Sequence, residues 1–262
     1  MLMRTSSLCA QSRNRFLAHL SRDDAALLDS GLERVAVPPG GLLTRSGAPL
    51  DLLYFPETAI VSIGYRLGGD RQVEAAVVGN EGVVGWSAIT GAGFACHDAV
   101  VQMTGGTAWR IARADLDRAC AASATLLAAL IRFADVVTVQ MTQAILSLVH
   151  DTVEKRLCRW LLMRHDRVAT DQLLVRHAEI SANLGTRRAS VTDGLHVLEG
   201  ERLVRCYRGR ILIRDRMGLE REAADSYGVS EAHYRRQIAP FGRSETRAAE
   251  AGLAPAGQRL RA

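Results

Sequence analysis

The sequence predicts an α+β chain, with an antiparallel β-roll first, one long helix in the middle, and a smaller helical unit with a terminal hairpin last. Three observations carry this. From Val35 to Ala112, short β-branched and aromatic runs alternate with glycine turns. From Arg113 to Val168 there is neither glycine nor proline, and apolar residues recur at helical spacing. From Leu173 to Ile213, two apolar-periodic stretches flank Gly185 and are followed by two short β-like runs around Arg208-Gly209.

The elements follow in order. Between Asn14 and Ser30, Phe16, Leu17, Leu20, Leu27 and Leu28 mark two short helices, the second started by Ser21 and two aspartates. The runs LLYF, AIVSIGYRL, QVEAAVV, DAVVQM and AWRIA, broken by PPGG, LGGD and TGG, form the strands of the roll, residues 14–112. Residues 113–150 form the central helix, in which Leu127, Leu130, Ala134, Val137, Met141, Ala144 and Leu148 alternate spacings of three and four as a dimer seam would. Asp151-Thr152 breaks it, and Val153, Leu157, Trp160 and Leu161 open a further helix. Residues 151–227 make the C-terminal unit, closed by a helix from Met217 to Tyr227, and residues 228–262, which lack an apolar period, are expected to be a disordered tail.

Composition narrows the function. The charge of +5 is unevenly placed: from Gly31 to Ala112 five basic residues meet seven acidic ones, whereas from Asp151 to Arg216 fourteen basic residues meet nine. An anionic partner is expected at the second half. The five cysteines are scattered, without the C-x-x-C pairs that hold zinc or a cluster, and read as reduced thiols of a cytoplasmic protein. No metal or cofactor is expected. The N-terminus has no apolar run of a secretory signal, and Leu126 to Val149, interrupted by Arg132, Asp135, Gln140 and Gln143, reads as too polar to span a bilayer. Enzyme chemistry is not expected either: the roll from Val35 to Arg110 has a single histidine, His97, and no Ser-His-Asp set, paired carboxylates or phosphate loop is present.

The stretch NLGTRRASVTDGL carries the functional reading. Ile180 and Leu184 anchor a first helix, Ser181 is the small residue at the crossing, Gly185 makes the turn, and Val191, Leu195 and Leu198 anchor a second helix. The opposite face of that helix then presents Ala189, Thr192, Asp193 and His196, with Arg187, Arg188 and Ser190 in its first turn. Arginines 202, 205, 208, 210, 214 and 216 in and beside the hairpin suit phosphate contact, so the fold class completes as a winged helix-turn-helix. Double-stranded DNA is the expected partner, with Arg208 and Arg210 on the wing.

Over residues 14–227 the chain resembles the bacterial Crp-Fnr transcription regulators, on LLYFPETAIVSI, VGNEGVVGW, VEKRLCRWLLM and NLGTRRASVTDGL, and specifically the branch whose effector is undefined. The resemblance implies a homodimer on a pseudo-palindromic site, a signal sensed by the roll, and contact with RNA polymerase if the protein activates. Arg188 falls where the family places a guanine-reading arginine; Ala189 and Asp193 replace other base-reading residues. Cyclic AMP is not expected to bind, because GVVG at 82–85 and CHDA at 96–99 stand where nucleotide-binding members hold a glutamate and an arginine. Gly82, Trp86 and His97 are the candidate effector-pocket residues. The competing expectation is a dimeric scaffold whose helix-turn-helix contacts protein.

Overall fold

Glycine-punctuated runs in the N-terminal half pair into two antiparallel sheets. The computed structural model describes residues 8–67 and 71–243. Helices α1 (Leu8–Gln11), α2 (Arg15–Ala18) and α3 (Arg22–Asp29) come first, and Ser21 caps α3 by accepting from the Asp24 amide at 3.1 Å. One sheet has the order β1-β7-β3 (Glu33–Val37, Gly106–Ala112, Leu52–Pro56), the other β2-β6-β4-β5 (Leu42–Thr44, Asp98–Val101, Val61–Leu67, Arg71–Val78). Their inner faces bury Leu53, Phe55, Val61, Ile63 and Ile111, and Phe16 of α2 packs between the Phe55 and Phe133 rings at 6.1 and 6.0 Å.

The central helical region is two helices, α4 (Arg113–Ala122) and α5 (Ala124–His150). Ser123 separates them because its hydroxyl caps α5 at the Leu126 amide and also bonds Asp24 of α3, so the chain turns where side-chain bonds replace helical ones. In α5, Leu126, Leu130, Phe133 and Val137 are buried against the roll. Buried Gln140 extends this face: its amide meets both backbone groups of Val77, accepting from the N–H at 2.6 Å and donating to the carbonyl at 3.3 Å.

This face corrects the expected seam. Leu130 and Val137 are at most 2% exposed and belong to the chain's own core. The outward stripe shares Leu127, Ala134, Met141 and Leu148 with the expectation but is completed by Ile131, Thr138 and Ile145, one residue further round the helix. A sequence alternating threes and fours admits either row, and packing on the roll selects. By length and hydropathy alone, with a mean of 1.5, α5 could cross a membrane, against the polarity argument from sequence; its inner face is nevertheless occupied by the roll.

Thr152 caps α6 (Val153–His165), which leads to β8 (Gln172–Leu174), α7 (His177–Leu184), α8 (Arg188–Gly200) and the hairpin β9 (Val204–Tyr207) and β10 (Arg210–Ile213). The third sheet has the order β8-β10-β9, and α9 (Arg216–Ala223) closes the unit. Leu157, Leu161, Ile180, Val191, Leu195, Leu198, Ile211 and Leu219 form its core. Two buried ion pairs tie this unit to the roll: Arg164 to Glu74 and Arg167 to Glu81, each at 2.6 Å.

The expected disordered tail is corrected at its start. Helix α10 (Val229–Gln237) packs along α5, with the Tyr234 hydroxyl donating to the Glu81 carbonyl at 2.7 Å and Phe241 buried beside it. In place of an apolar stripe, Tyr234 anchors the helix, backed by the Phe241 ring at 5.1 Å from the segment that follows it. Glu231 accepts from the Gly228 amide at 3.1 Å and so caps the start of the helix. Residues 244–262 of the expected tail lie outside the described residues.

Candidate nucleic-acid interface

Helix α7 ends at Gly185, whose φ of 58° is the left-handed conformation that lets the chain turn without a Cβ penalty. The Thr186 amide reaches back to the Ser181 carbonyl at 3.0 Å, and Arg156 of α6 donates to the Leu184 carbonyl, so the turn is bonded on both sides. Helix α8 then packs on α6 through Val191, Leu195, Leu198 and Gly194. A Cβ on Gly194 would stand 2.7 Å from Leu157 Cδ1, so this glycine, costly in a helix interior, allows the close approach of α8 to α6.

The outer face of α8 is free. Arg187, its N-terminal flanking residue, and Arg188, Ala189, Asp193, His196 and Val197 are all exposed. Ser190 is half-buried in the first turn. Thr192 departs from the expected reading role: its hydroxyl donates to the Arg188 carbonyl at 3.1 Å and meets His177 Nδ1 at 3.1 Å, so internal bonds hold it. Burial, and then the nearby Arg188 and His196 charges, lower the pKa of His177. At the hairpin tip Arg208 is exposed, and the Arg210 guanidinium lies 4.8 Å over the Tyr207 ring, a contact that orients it.

Not every arginine of this half serves that face. Arg216 donates to Asp166 at 2.8 Å, to Glu220 at 2.8 Å and to the Tyr227 hydroxyl at 2.6 Å, which removes it from phosphate contact. It also donates to His165 Nδ1 at 3.1 Å, while His165 Nε2 meets Asp171 at 2.9 Å. Because a guanidinium only donates, His165 is neutral with its proton on Nε2; burial first, despite Asp171, brings its pKa down to about 4. Arg214 points with Arg216 into the groove between this unit and the roll. Sequence spacing had grouped both with Arg208 and Arg210, in and beside the hairpin, for phosphate contact, and no local signal separates them.

The expected effector-pocket residues come together only in part, with little open space between them. Trp86 and His97 do meet, stacked at 5.7 Å, but the cavity beside them is about 10 Å³, room for roughly one water. Gly82 lies under the Phe133 ring, which a Cβ would strike at 2.0 Å and which meets Trp86 edge-on at 6.5 Å, so Phe133 stands between Gly82 and the pair.

A helix-turn-helix with a flanking hairpin, joined through a long helix to a β-roll, defines a winged DNA-binding fold with a second, roll-shaped domain. Residues 155–222 match the Crp-like helix-turn-helix domain family. Among solved structures the chain is similar to FixK2 from Bradyrhizobium japonicum (TM-score 0.64, 17% identity, 74% of this chain and 98% of that one). It is also similar to TTHB099, a CRP-family transcriptional regulator from Thermus thermophilus (0.60, 22%, 73% and 96%). A third is CLP, a c-di-GMP responsive global regulator from Xanthomonas campestris (0.60, 17%, 74% and 99%). A comparison with curated proteins gives no significant sequence match. The chain thus carries a Crp-like helix-turn-helix domain within the fold of the Crp/Fnr regulators, as the sequence resemblance had implied.

Proposed function

We propose that this chain is a cytoplasmic transcription regulator that binds a specific double-stranded DNA sequence as a homodimer. The observation that carries the reading is the free outer face of α8, with Arg188 in its first turn and the Arg208 and Arg210 hairpin beside it. Arg188 suits the O6 and N7 edge of a guanine in the major groove, and the wing arginines suit flanking phosphates. The outward stripe of α5, where Ile131 and Ile145 are 52% and 62% exposed, supports a partner helix across a two-fold axis. The site is then pseudo-palindromic, with half-sites about 34 Å apart. As an activator the protein would also touch RNA polymerase.

The experiment is selection from a random double-stranded DNA pool with the ligand-free protein at moderate salt. A symmetric enriched motif is expected; DNA retention that neither falls with salt nor enriches a motif overturns the reading. The scaffold alternative draws on Asp193 and on Val197, which is 46% exposed on the same face; it requires a protein contact insensitive to salt. Cyclic AMP is not the effector in this reading, given the filled space beside Trp86 and His97. Calorimetric titration is expected to show no binding, and micromolar affinity overturns that statement.

A further inference from the structure

The roll interior beside Trp86 and His97 is nearly filled, whereas an open cleft of about 1120 Å³ separates the roll from the winged domain, large enough for a ligand of several tens of atoms. One wall holds Arg13 and Arg15 of the N-terminal segment, the other Arg214 and Arg216 at the end of the wing, with Arg167 and Arg243 between them. Six guanidiniums around one space would repel one another unless each were balanced.

Three of them are. Arg167 is paired with Glu81, Arg216 with Asp166, and Arg243 with Asp171. Glu57, the remaining acidic residue of the wall, is engaged by Arg34 outside the cleft at 2.7 Å. His165, also in the wall, is neutral with its pKa near 4. Arg13, Arg15 and Arg214 have no carboxylate within ion-pair distance among the described residues, and the Arg15 guanidinium donates to the uncharged Pro240 carbonyl at 2.9 Å. Among the described residues the cleft therefore carries about three positive charges without a carboxylate partner, contributed from both domains.

We infer that this cleft binds a small phosphate-bearing molecule, held by Arg13 and Arg15 on the roll and by Arg214 on the wing. Two or three phosphate oxygens can accept charge-assisted bonds from guanidiniums on both walls, which neither domain alone supplies. A ligand held in this way ties the winged domain to the roll and shifts the population of orientations in which α8 meets DNA. Ligand binding stands without the DNA-binding reading; the coupling rests on it.

The test is isothermal titration of the full chain with inorganic pyrophosphate and with GTP at physiological salt, on the wild type, the R13A/R214A double variant and R45A. Arg13 and Arg214 are exposed, so the double variant keeps the fold, and an unchanged melting curve verifies this. Arg45 is an exposed roll arginine outside the cleft. We expect binding to wild type and R45A and a loss of about tenfold or more in the double variant. Equal binding of pyrophosphate and GTP assigns the cleft to a phosphate chain alone, and stronger binding of GTP assigns it to a nucleotide.

The inference is overturned if neither probe binds at about 1 mM, or if both bind all three proteins alike. It is also overturned if the double variant changes only the salt dependence of DNA binding, since the arginines would then serve the DNA backbone. The coupling is read separately: ligand and DNA must alter each other's affinity by the same factor. A protein that binds phosphate but no DNA would refute the proposed function and leave the cleft standing.

Discussion

Two sets of arginines from one basic stretch of sequence have opposite fates. Arg164, Arg167 and Arg216 are buried or nearly so, each against a carboxylate at 2.6 to 2.8 Å. Arg187, Arg188, Arg208 and Arg210 stand exposed on α8 and the hairpin. In the first set Arg164 and Arg167 join the winged unit to the roll and Arg216 is held within its own unit, while the second set is free for an anion, so the net charge of a segment overstates what a partner meets. Exposure decides the energetics as well: a buried charge that loses its partner is costly, whereas a surface charge costs little until something binds it.

The comparison breaks most visibly at the buried end. Glu81→Ala strands the Arg167 guanidinium and is expected to cost about 3 to 5 kcal/mol of stability, measured by denaturant unfolding; a loss below 1 kcal/mol would place that pair with the surface set. Two substitutions on α5 make the same contrast with apolar residues. Val137→Asp puts a charge into the roll's core and should unfold the chain, whereas Ile131→Asp should leave the melting curve intact and halve the mass in analytical ultracentrifugation. A wild-type-like dimer for Ile131→Asp would remove this stripe from the interface.

Acid sharpens the junction. His165 is held neutral in the folded chain, with a pKa of about 4 against an ordinary value of 6.5. Between these values the unfolded chain takes up a proton that the folded one refuses, so stability rises with pH across this window. The contribution is complete above about pH 6.5 and lost by about pH 4, roughly 3 kcal/mol in all. His165→Gln should flatten that part of the stability profile, and an unchanged slope would exclude the histidine as its source.

At the exposed end the effects are smaller and appear only with DNA. Arg188→Ala should weaken binding by about 1 to 3 kcal/mol and relax preference at one base pair. Arg208→Ala should weaken all sequences alike and lower the salt slope by about one. Identical behaviour of the two would erase the distinction between a base-reading and a phosphate-contacting arginine.

The helix-turn-helix was legible because its requirements are local. Gly185 has to turn, Val191, Leu195 and Leu198 must share one face, and these offsets leave Arg188, Asp193 and His196 outside wherever the domain sits. The hairpin around Gly209 followed from two β-like runs and a turn residue. Thr192 was misplaced because its hydroxyl is claimed by His177, fifteen residues earlier and across the helix crossing. Strand β8 was missed, three residues too short for a period and defined by pairing with β10.

The sequence by itself determined the kinds of elements, their order and the face of α8 that is free, since helical and strand periods are properties of neighbouring residues. Only the tertiary structure decided which apolar row of α5 remained outside, which arginines were neutralised, and that α10 would dock through Tyr234. Those outcomes depend on groups brought together from distant positions, as Arg167 is with Glu81 and Gln140 with Val77. A linear pattern records that such residues are charged or polar; burial and the partner supplied by the fold determine what they do.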